Sequence, residues 1–295
     1  MSIKVRPAAP KDREGILAIS RRIWEGEDYV PFVLDQWLAE GGLIVAELSG
    51  EVAGFAKTTE LAPGELWLEG LRVHPEHQGK GIAKTLARAQ LDLALAQRPQ
   101  VVRLATVEAN EASLHIAREL GFREVARFFY LEADVEKPAR APTPQRPSSE
   151  ETWKFLSSSQ ALQEGRGLIG FGWRFYTLTP GLLAELGDKG ALFSVGTPPK
   201  GFLILVPDPY TPADIATLAF LDGEDDALED LLKFAHVWAS EQGERIIAAM
   251  VAAPWIFKFL IQHGFQFVPE LGAVLVLEYR PRMSETPQVA DSGRE

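Results

Sequence analysis

Apolar residues in the first half of the chain follow two different periods. Spacing at three and four residues predicts helices over about 11–23, 30–40, 80–96 and 111–120. Short apolar or alternating runs predict the strands, which are 3–6, 43–48, 52–60, 65–73, 101–107 and 125–132. Ser49-Gly50-Glu51 separates two of these runs and is typical of a hairpin turn. The order of elements predicts a mixed α/β fold.

The second half of the chain repeats the end of this pattern. Strands at 215–221, 246–251 and 273–279 alternate with helices at 227–242 and 254–262. Gly-Phe follows the last predicted helix of each half, at Gly121 and Gly264, and the same offset of 143 residues places Gly79 on Asp222. Both Gly79 and Asp222 stand at a strand-to-helix junction. The coincidence favours a duplicated domain, although a shared βαβ pattern would also produce this order.

The stretch Lys137–Glu150 holds four prolines and no periodic apolar residue. Proline removes a backbone donor and disfavours helix before it, so we predict an extended linker that joins neither sheet nor helix. The predicted domains are 1–137 and 150–282, with a linker at 138–149. The polar residues 283–295 predict a disordered tail.

Composition and charge narrow the functional classes. The chain is 46% hydrophobic and carries a net charge of −11, which predicts a globular protein that repels phosphate backbones and anionic lipid. No cysteine is present and the five histidines are scattered, which disfavours thiol and metal chemistry. The amino terminus shows no apolar leader and no run of about 18 apolar residues occurs, so we expect a cytoplasmic protein without nucleic-acid or membrane partners.

The segment Gln78-Gly79-Lys80-Gly81-Ile82-Ala83 lies between a predicted strand and a long predicted helix. The first amides of a helix lack intrahelical partners and favour an anion, and the glycines allow the anion to approach the backbone. A Walker loop would need glycine at Gln78 and Ala83, and a dinucleotide loop would need glycine at Lys84. The spacing therefore excludes both nucleotide motifs.

This segment resembles the acetyl-CoA signature of the GNAT acetyltransferase superfamily, [Gln/Arg]-x-x-Gly-x-[Gly/Ala], at Gln78, Gly81 and Ala83. NEASLHIARELGFRE is similar to the family's next helix, and the likeness covers about residues 3–134. The resemblance implies that acetyl-CoA is the cosubstrate and that the amides from Gln78 to Ala83 bind its pyrophosphate. It further implies that the backbone of Leu71 and Val73 pairs with the pantetheine arm. Asn110 matches a position that contacts the cofactor in some relatives, and a helix cap is its alternative role.

Acetyl transfer to an amine needs a group that accepts the ammonium proton. Strict alternation along 65–73 places Glu69 on one face with Trp67, Leu71 and Val73, close to the expected acetyl carbonyl. Glu69 is therefore the predicted base, and burial there would raise its pKa. The alternative is a structural glutamate that pairs with an arginine or caps a turn.

The identity of the general acid, which protonates the departing thiolate, stays open. Many relatives have tyrosine where this chain has Ala117. Three readings remain: another hydroxyl such as Tyr130 or Ser113 acts, water protonates the thiolate, or activity is lost.

The acceptor region of such proteins follows the first helix, where this chain has the acids Glu25, Glu27 and Asp28 and four aromatic residues, which are Trp24, Tyr29, Phe32 and Trp37. A cationic amine would suit both kinds of side chain. The alternative places the aromatics in the core, especially Phe32 and Trp37, and the acids in solvent. With EGLRV, this stretch resembles the histidine N-acetyltransferase group, which implies that the acceptor is an amino acid.

The second-half junction reads Asp222-Gly223-Glu224-Asp225-Asp226, and these carboxylates would repel a pyrophosphate. Helix capping explains them better than a calcium site, because the twelve-residue ligand pattern is missing. This half resembles the degenerate second domain of tandem acetyltransferases, whose roles would be to cover the sheet, shape the acceptor pocket or form a homodimer. The leading hypothesis is an N-acetyltransferase acting on a small-molecule amine. The alternatives are a noncatalytic acyl-CoA binding or sensing module and a scaffold without cofactor.

Overall fold

A computed structural model describes residues 2–137, 142–208 and 214–281. These residues form two compact units, and neither unit is continuous in sequence. The first contains the described residues of Met1–Leu104, Ile116–Arg123 and a short segment from Glu278, and the second contains Ala105–His115 and the described part of Glu124–Leu277. The predicted domains, 1–137 and 150–282, are each one continuous stretch of sequence, whereas each compact unit combines separate segments. The predicted tail at 283–295 lies outside the described residues.

The first unit is built on strands and helices that the apolar pattern predicted. Its strands follow one another in sheet order as β1 (Ile3–Pro7), β2 (Leu43–Leu48), β3 (Glu51–Ala62), β4 (Glu65–Val73) and β5 (Val101–Val107). Neighbours are antiparallel as far as β4, whereas β4 and β5 are parallel. The helices are α1 (Arg13–Ser20), α2 (Val30–Glu40), α3 (Ile82–Leu95) and α4 (Glu111–Glu119), and the boundary between the units falls within β5 and α4.

Helix α3 packs one apolar face on the sheet. Ile82 and Leu86 are buried in a cluster with Ala56 and Val73, and Leu93 packs at its edge. Leu86 lies four residues after Ile82 and Leu93 seven residues after Leu86, which are spacings of one helix face. The cluster fixes the start of α3 beside the end of β4.

A β-bulge near the end of β4 changes which residues share a face. Phe55 lies opposite Arg72 and Lys57 lies opposite Glu69, so between these pairs two residues of β4 stand against one of β3. Opposed residues share a face, and therefore Glu69 and Arg72 point to the same side although they are three apart. Strict alternation was wrong here, because Leu71 and Val73 face the other side.

Two features hold this bulge. Gly70 has φ +66°, and a Cβ on it would lie 2.6 Å from the ring of the buried Trp37. The buried amide of Gln90 in α3 donates to the carbonyls of Lys57 at 2.6 Å and Glu69 at 3.1 Å. The side chain therefore satisfies carbonyls beside the point where the ladder is interrupted.

The second unit repeats the arrangement with additional elements. Its strands lie in the order β14 (Ala273–Tyr279), β6 (Arg123–Asp134), β12 (Ile246–Val251), β11 (Ile215–Gly223), β10 (Gly201–Pro207) and β9 (Leu192–Val195). Strands β11 and β12 are parallel, and the β12–β6, β11–β10 and β10–β9 pairs are antiparallel. A separate hairpin joins β7 (Leu168–Phe171) to β8 (Arg174–Thr177), and β13 (Gln266–Phe267) pairs with β6. The helices are α5 (Ser149–Leu156), α6 (Gln160–Glu164), α7 (Pro180–Asp188), α8 (Asp225–Gln242) and α9 (Pro254–Gln262).

Strand β6 explains why the units are discontinuous. It ends the first half of the sequence, yet Asp134 to Phe129 pair with Ile246 to Val251 in the second unit. Six residues of β6 pair with β12, and this pairing places most of β6 in the second unit. A local apolar pattern predicts that a strand exists but carries no information about its neighbours.

The two helix endings are alike in geometry. Gly121 has φ +94° and Gly264 has φ +90°, and both follow the last helix of their half. The Phe122 amide donates to the Ala117 carbonyl and the Phe265 amide donates to the Leu260 carbonyl, both at 3.0 Å. Both phenylalanines are buried. The same helix stop at the same offset supports the predicted duplication.

The predicted linker takes part in secondary structure, so that prediction was wrong for its described residues. Gln145 and Ser194 exchange two backbone hydrogen bonds, at 2.8 and 3.1 Å. Ser148 caps α5, which begins at Ser149. The flanking prolines hold the chain extended but leave the Gln145 donor and acceptor available for pairing.

The Arg6 guanidinium joins the start of α1 to the sheet through Asp12 and Glu47. Its hydrogen bonds hold the pKa of the buried Asp12 below the usual value. That stabilisation is present above pH about 4 and is lost as the pH falls through the lowered pKa. Arg6→Gln is expected to reduce unfolding free energy at pH 7 by about 1–3 kcal/mol, with a smaller difference below pH about 3. Urea unfolding checks this, with the exposed Arg13→Gln as the control; a loss of equal size at both pH values contradicts it.

Candidate active site

The loop between β4 and α3 has an open, left-handed backbone. Gly79 has φ +74° and Gly81 has φ +80°, and a Cβ on either would meet nothing within 4 Å. Glycine is therefore required for the backbone angle, and the space outside the loop is free of protein atoms at that distance. A ligand can approach the loop from this side.

Gly81 is the cap of α3 and brings no side chain to its first amides. Gln78, Gly79, Lys80 and Gly81 are exposed, while Ile82 is buried below them. Ala83 is half-buried and small. The helix therefore presents amides and the positive end of its dipole to solvent, which favours a phosphate group.

Cationic side chains surround this helix end. The Lys80 Nζ lies 3.0 Å from the Glu76 carbonyl oxygen, and Lys84 pairs with Glu119 at 2.9 Å. A cavity of about 580 Å³ is lined by Lys84, Thr85, Arg88, Glu119 and Leu120. The loop thus continues into a concave surface with two basic side chains.

Strand β4 pairs with β5 over only part of its length. Glu65 to Trp67 pair with Val101 to Arg103, and no pairing of 68–73 with β5 is found in the described residues. Leu71 and Val73, the residues predicted to contact the pantetheine arm, lie in this unpaired section. Their strand still has β3 on its other side, where Val73 lies opposite Gly54. The backbone of this free edge can hydrogen-bond to an extended ligand in the same way as it would to a neighbouring strand.

The Glu69 side chain is half-buried and faces β3. Its carboxylate accepts a hydrogen bond from the Thr59 hydroxyl at 2.6 Å. Lys57, directly opposite, is buried, and its Nζ lies 3.4 Å from a Glu40 carboxylate oxygen. The predicted base therefore has a fixed orientation on the face that carries Arg72.

The acceptor region differs from its prediction at two residues. Phe32 was expected in the core but is 61% exposed, because it lies on the outer face of α2. Asp28 was expected either beside the cationic amine or in solvent, but it is buried, where Arg72 and the Ser20 hydroxyl bond to it. Trp37 is buried as predicted, and Trp24 is exposed above the Arg72 guanidinium at 4.4 Å.

Asn110 directly precedes helix α4, and Ala117 lies within it. The Asn110 side-chain oxygen accepts a hydrogen bond from the Ser113 amide at 3.1 Å, which is the capping role. A cofactor contact of Asn110 stays a prediction. Ala117 is buried and offers no hydroxyl. Tyr130 donates to Glu132, and burial together with this carboxylate raises the pKa of Tyr130, so it is a poor proton donor there.

The matching junction in the second unit is closed. The Gly223 amide donates to the Asp222 carboxylate at 2.9 Å, and the Glu224 amide donates to the Lys200 carbonyl at 3.0 Å. A Cβ on Gly223 would lie 2.5 Å from the Gly201 Cα. Lys200 pairs with Glu224 at 2.9 Å and supplies a cation that the local sequence did not predict. Two amides that a pyrophosphate would need are already bonded within the protein.

The Acetyltransferase (GNAT) family signature matches residues 14–122. An L-methionine sulfoximine/L-methionine sulfone acetyltransferase of Pseudomonas aeruginosa is 31% identical over 143 residues, which cover 41% of this chain and 81% of that protein. The chain belongs to the GNAT acetyltransferase family. The histidine N-acetyltransferase of Scomber australasicus is 36% identical over 97 residues, and the match covers 32% of this chain and 29% of that GNAT relative.

A tandem GNAT protein from the clavulanic acid biosynthesis pathway has the same fold. It covers 95% of this chain and 100% of its own, with a TM-score of 0.60 and 15% identity. The predicted fold class, a mixed α/β protein with two GNAT-like domains in tandem, is confirmed. Within the described ranges, no helix is long and apolar enough to cross a membrane.

Proposed function

We propose that this GNAT protein transfers the acetyl group of acetyl-CoA to the amine of a small molecule, and that the acceptor is an amino acid. The open glycine loop at the start of α3, beside the unpaired section of β4, is the observation that carries this proposal. A site with bare amides and a free strand edge suits a ligand with a diphosphate and an extended amide chain. Acetyl-CoA has both parts.

In this proposal the amides from Gln78 to Ala83 bind the pyrophosphate, with Gly79 and Gly81 giving access. The backbone of Leu71 and Val73 pairs with the pantetheine arm, and Lys84 and Arg88 offer positive charge to further phosphate oxygens. The thioester then lies beside β4.

Glu69 accepts a proton from the acceptor ammonium, and the neutral nitrogen attacks the acetyl carbonyl. A carbon–nitrogen bond forms, the carbon–sulfur bond breaks, and the electron pair leaves with the thiolate. The second amine proton passes to water as the amide forms, and water returns a proton to the thiolate, so the net products are the amide, free CoA and the proton held by Glu69. A thiol has a pKa near 8.5, so its anion is a tolerable leaving group without an acid at Ala117.

The amino-acid acceptor is supported by the relatives. The names of two of them give histidine and methionine sulfoximine as acceptors. Trp24 and Tyr29 lie beside the Arg72 guanidinium, which is on the same face of β4 as Glu69, so this face offers aromatic and charged groups. A zwitterion fits such a mixed surface.

A noncatalytic acyl-CoA binding role is the second candidate, and Ala117 favours it. Thiol release from acetyl-CoA across a set of amino acids and other primary amines separates the two. Acceptor-dependent release supports the transferase. Tight acetyl-CoA binding with no release for any amine supports the binding role.

We expect one acetyl-CoA per chain, held by the first unit. The junction at Gly223 has its amides occupied and lies among carboxylates, each of which would repel a phosphate charge by about 1 kcal/mol or more. Calorimetric titration of the full chain should saturate at one equivalent, and Asp225→Asn should not change this. Two equivalents would contradict the division of roles. The full chain is required because β6 pairs with β12 beyond residue 137.

A further inference from the structure

Arg72 differs in its partners from three other arginines of the described structure. Arg6 bonds Asp12 and Glu47, Arg103 bonds Glu65 and Glu278, and Arg127 bonds Glu108 and Glu124. Each of these guanidinium groups therefore binds two carboxylates. Within the described residues, Arg72 binds one, Asp28.

The Arg72 guanidinium keeps hydrogen-bond donors for a ligand. Its Nε and Nη2 bond the Asp28 carboxylate at 3.4 and 3.1 Å, and its Nη1 bonds the Leu71 carbonyl at 3.2 Å. Three of its five N–H groups are used in this way, and two remain in the described structure. Asp28 is buried and also accepts from Ser20, so the pair holds the guanidinium in one orientation.

Aromatic rings lie beside the Arg72 guanidinium, so a ligand would approach it at its edge. The Trp24 ring centre lies 4.4 Å from the guanidinium carbon, and the Tyr29 ring centre lies 5.8 Å from it. A carboxylate binds arginine in the guanidinium plane, at its edge. The covered face and the fixed edge therefore suit an anion better than a second ring.

The turn that places Trp24 is strained. Trp24 and Glu25 have φ of +45° and +57°, and Gly26 follows with +97°. Positive φ in two successive non-glycine residues is energetically costly and is commonly retained at ligand sites. This turn places the largely exposed Trp24 over Arg72 rather than in the core.

Arg72 and Glu69 stand on the same face of β4, with the bulge between them. The Cα atoms of neighbouring residues on one face of a strand are about 7 Å apart. In an α-amino acid the nitrogen lies about 2.5 Å from the carboxylate carbon, and two hydrogen bonds of about 2.8 Å bring the total reach to about 8 Å. This reach matches the spacing of the two strand positions, so the register suits one amino acid with its amine at Glu69 and its carboxylate at Arg72.

We infer that Arg72 binds the α-carboxylate of the acceptor and so selects α-amino acids over amines that lack this group. The inference rests on the proposed acetyl transfer and adds the residue that determines the acceptor class. The bound carboxylate gives Arg72 a second anion, as Arg6, Arg103 and Arg127 each have.

The test compares the best amino-acid acceptor with its own α-amide, by thiol release from acetyl-CoA. The full-length wild-type chain is expected to prefer the acid by about 100-fold in kcat/KM, because the amide cannot accept a charged pair of hydrogen bonds. Arg72→Gln should lower kcat/KM for the acid by about 100-fold, mainly through KM, and leave the amide within a few-fold. Arg22→Gln is the control, since Arg22 is an exposed arginine of the same unit paired with Glu76.

The outcomes separate the two proposals. A wild-type preference that disappears in Arg72→Gln supports the inference. Equal use of acid and amide by the wild-type chain overturns it while acetyl transfer stands, as does an equal loss for both acceptors in a folded variant. If Arg72→Gln fails to fold because Asp28 is left buried, Asp28→Asn/Arg72→Gln removes both charges, and the wild-type comparison needs no variant. Absence of thiol release for every amine overturns the proposed function itself.

Discussion

Gly81→Glu is expected to abolish acetyl-CoA binding. The new carboxylate would stand at the cap of α3, where the amides face the pyrophosphate, and would meet it with like charge. Repulsion is about 1–4 kcal/mol for each charge pair near a protein surface, so two phosphate charges predict a loss of about 30-fold or more in affinity. Isothermal titration calorimetry with acetyl-CoA measures this.

Backbone strain must be separated from the charge. Gly81 has φ +80°, and any side chain there costs stability. Gly50→Glu is the matched control, because Gly50 has φ +89° and open space but lies in the β2–β3 turn. Gly50→Glu should keep wild-type affinity, and Gly81→Ala should lose far less than Gly81→Glu. Wild-type affinity in folded Gly81→Glu would remove the loop from the site.

Glu69→Gln is expected to lower kcat/KM by about 100- to 1,000-fold near pH 7, with little change in acetyl-CoA affinity. The amide cannot accept the ammonium proton but can still accept the Thr59 hydrogen bond. The deficit should shrink as the pH rises, because a growing fraction of the acceptor is already neutral. A pH–rate profile of wild type and variant measures it.

Thr59→Val is the control for this prediction. It removes the hydrogen bond to Glu69 and keeps the carboxylate, so we expect less than a tenfold loss. A normal rate of Glu69→Gln below neutral pH would show that Glu69 is structural. A pH-independent loss would show that it positions the acceptor and that the base lies elsewhere.

Local periodicity predicted the elements around the loop well. Helix α2 and strand β2 have the predicted bounds, and α3 differs by two residues at its start. These segments bury one clear stripe or run, which the spacing of apolar residues shows directly. In the second half, α9 and β12 were also predicted at their bounds, whereas α5 to α7 and β7 to β10 were not predicted.

Pairing between distant residues could not be predicted from the same pattern. The bulge at Gly70 depends on register with β3 and on a bond from Gln90, twenty residues away, so Glu69 was placed on the wrong face relative to Leu71. Asp28 and Arg72 are 44 residues apart, and the pattern of neither segment predicts their ion pair. Strand β6 likewise pairs with β12 through contacts that only the folded chain defines.

The charge of the second junction was predicted and its closure was not. The carboxylates from Asp222 to Asp226 are visible in sequence. The Glu224 amide is occupied by the Lys200 carbonyl, and Gly223 packs closely against Gly201 at the start of β10, which is more than twenty residues away in sequence. The structure therefore adds a steric reason to the electrostatic reason why this junction would not bind a pyrophosphate.

Acetyl transfer itself is tested most directly by following both products in one reaction. The full-length chain is incubated with acetyl-CoA and the best amino-acid acceptor, free CoA is measured by thiol titration, and the N-acetyl amino acid is measured by mass spectrometry. We predict that the two products form in a one-to-one ratio and that both are lost in Gly81→Glu. CoA release without an N-acetyl product, or no release with any acceptor, would contradict the proposed activity.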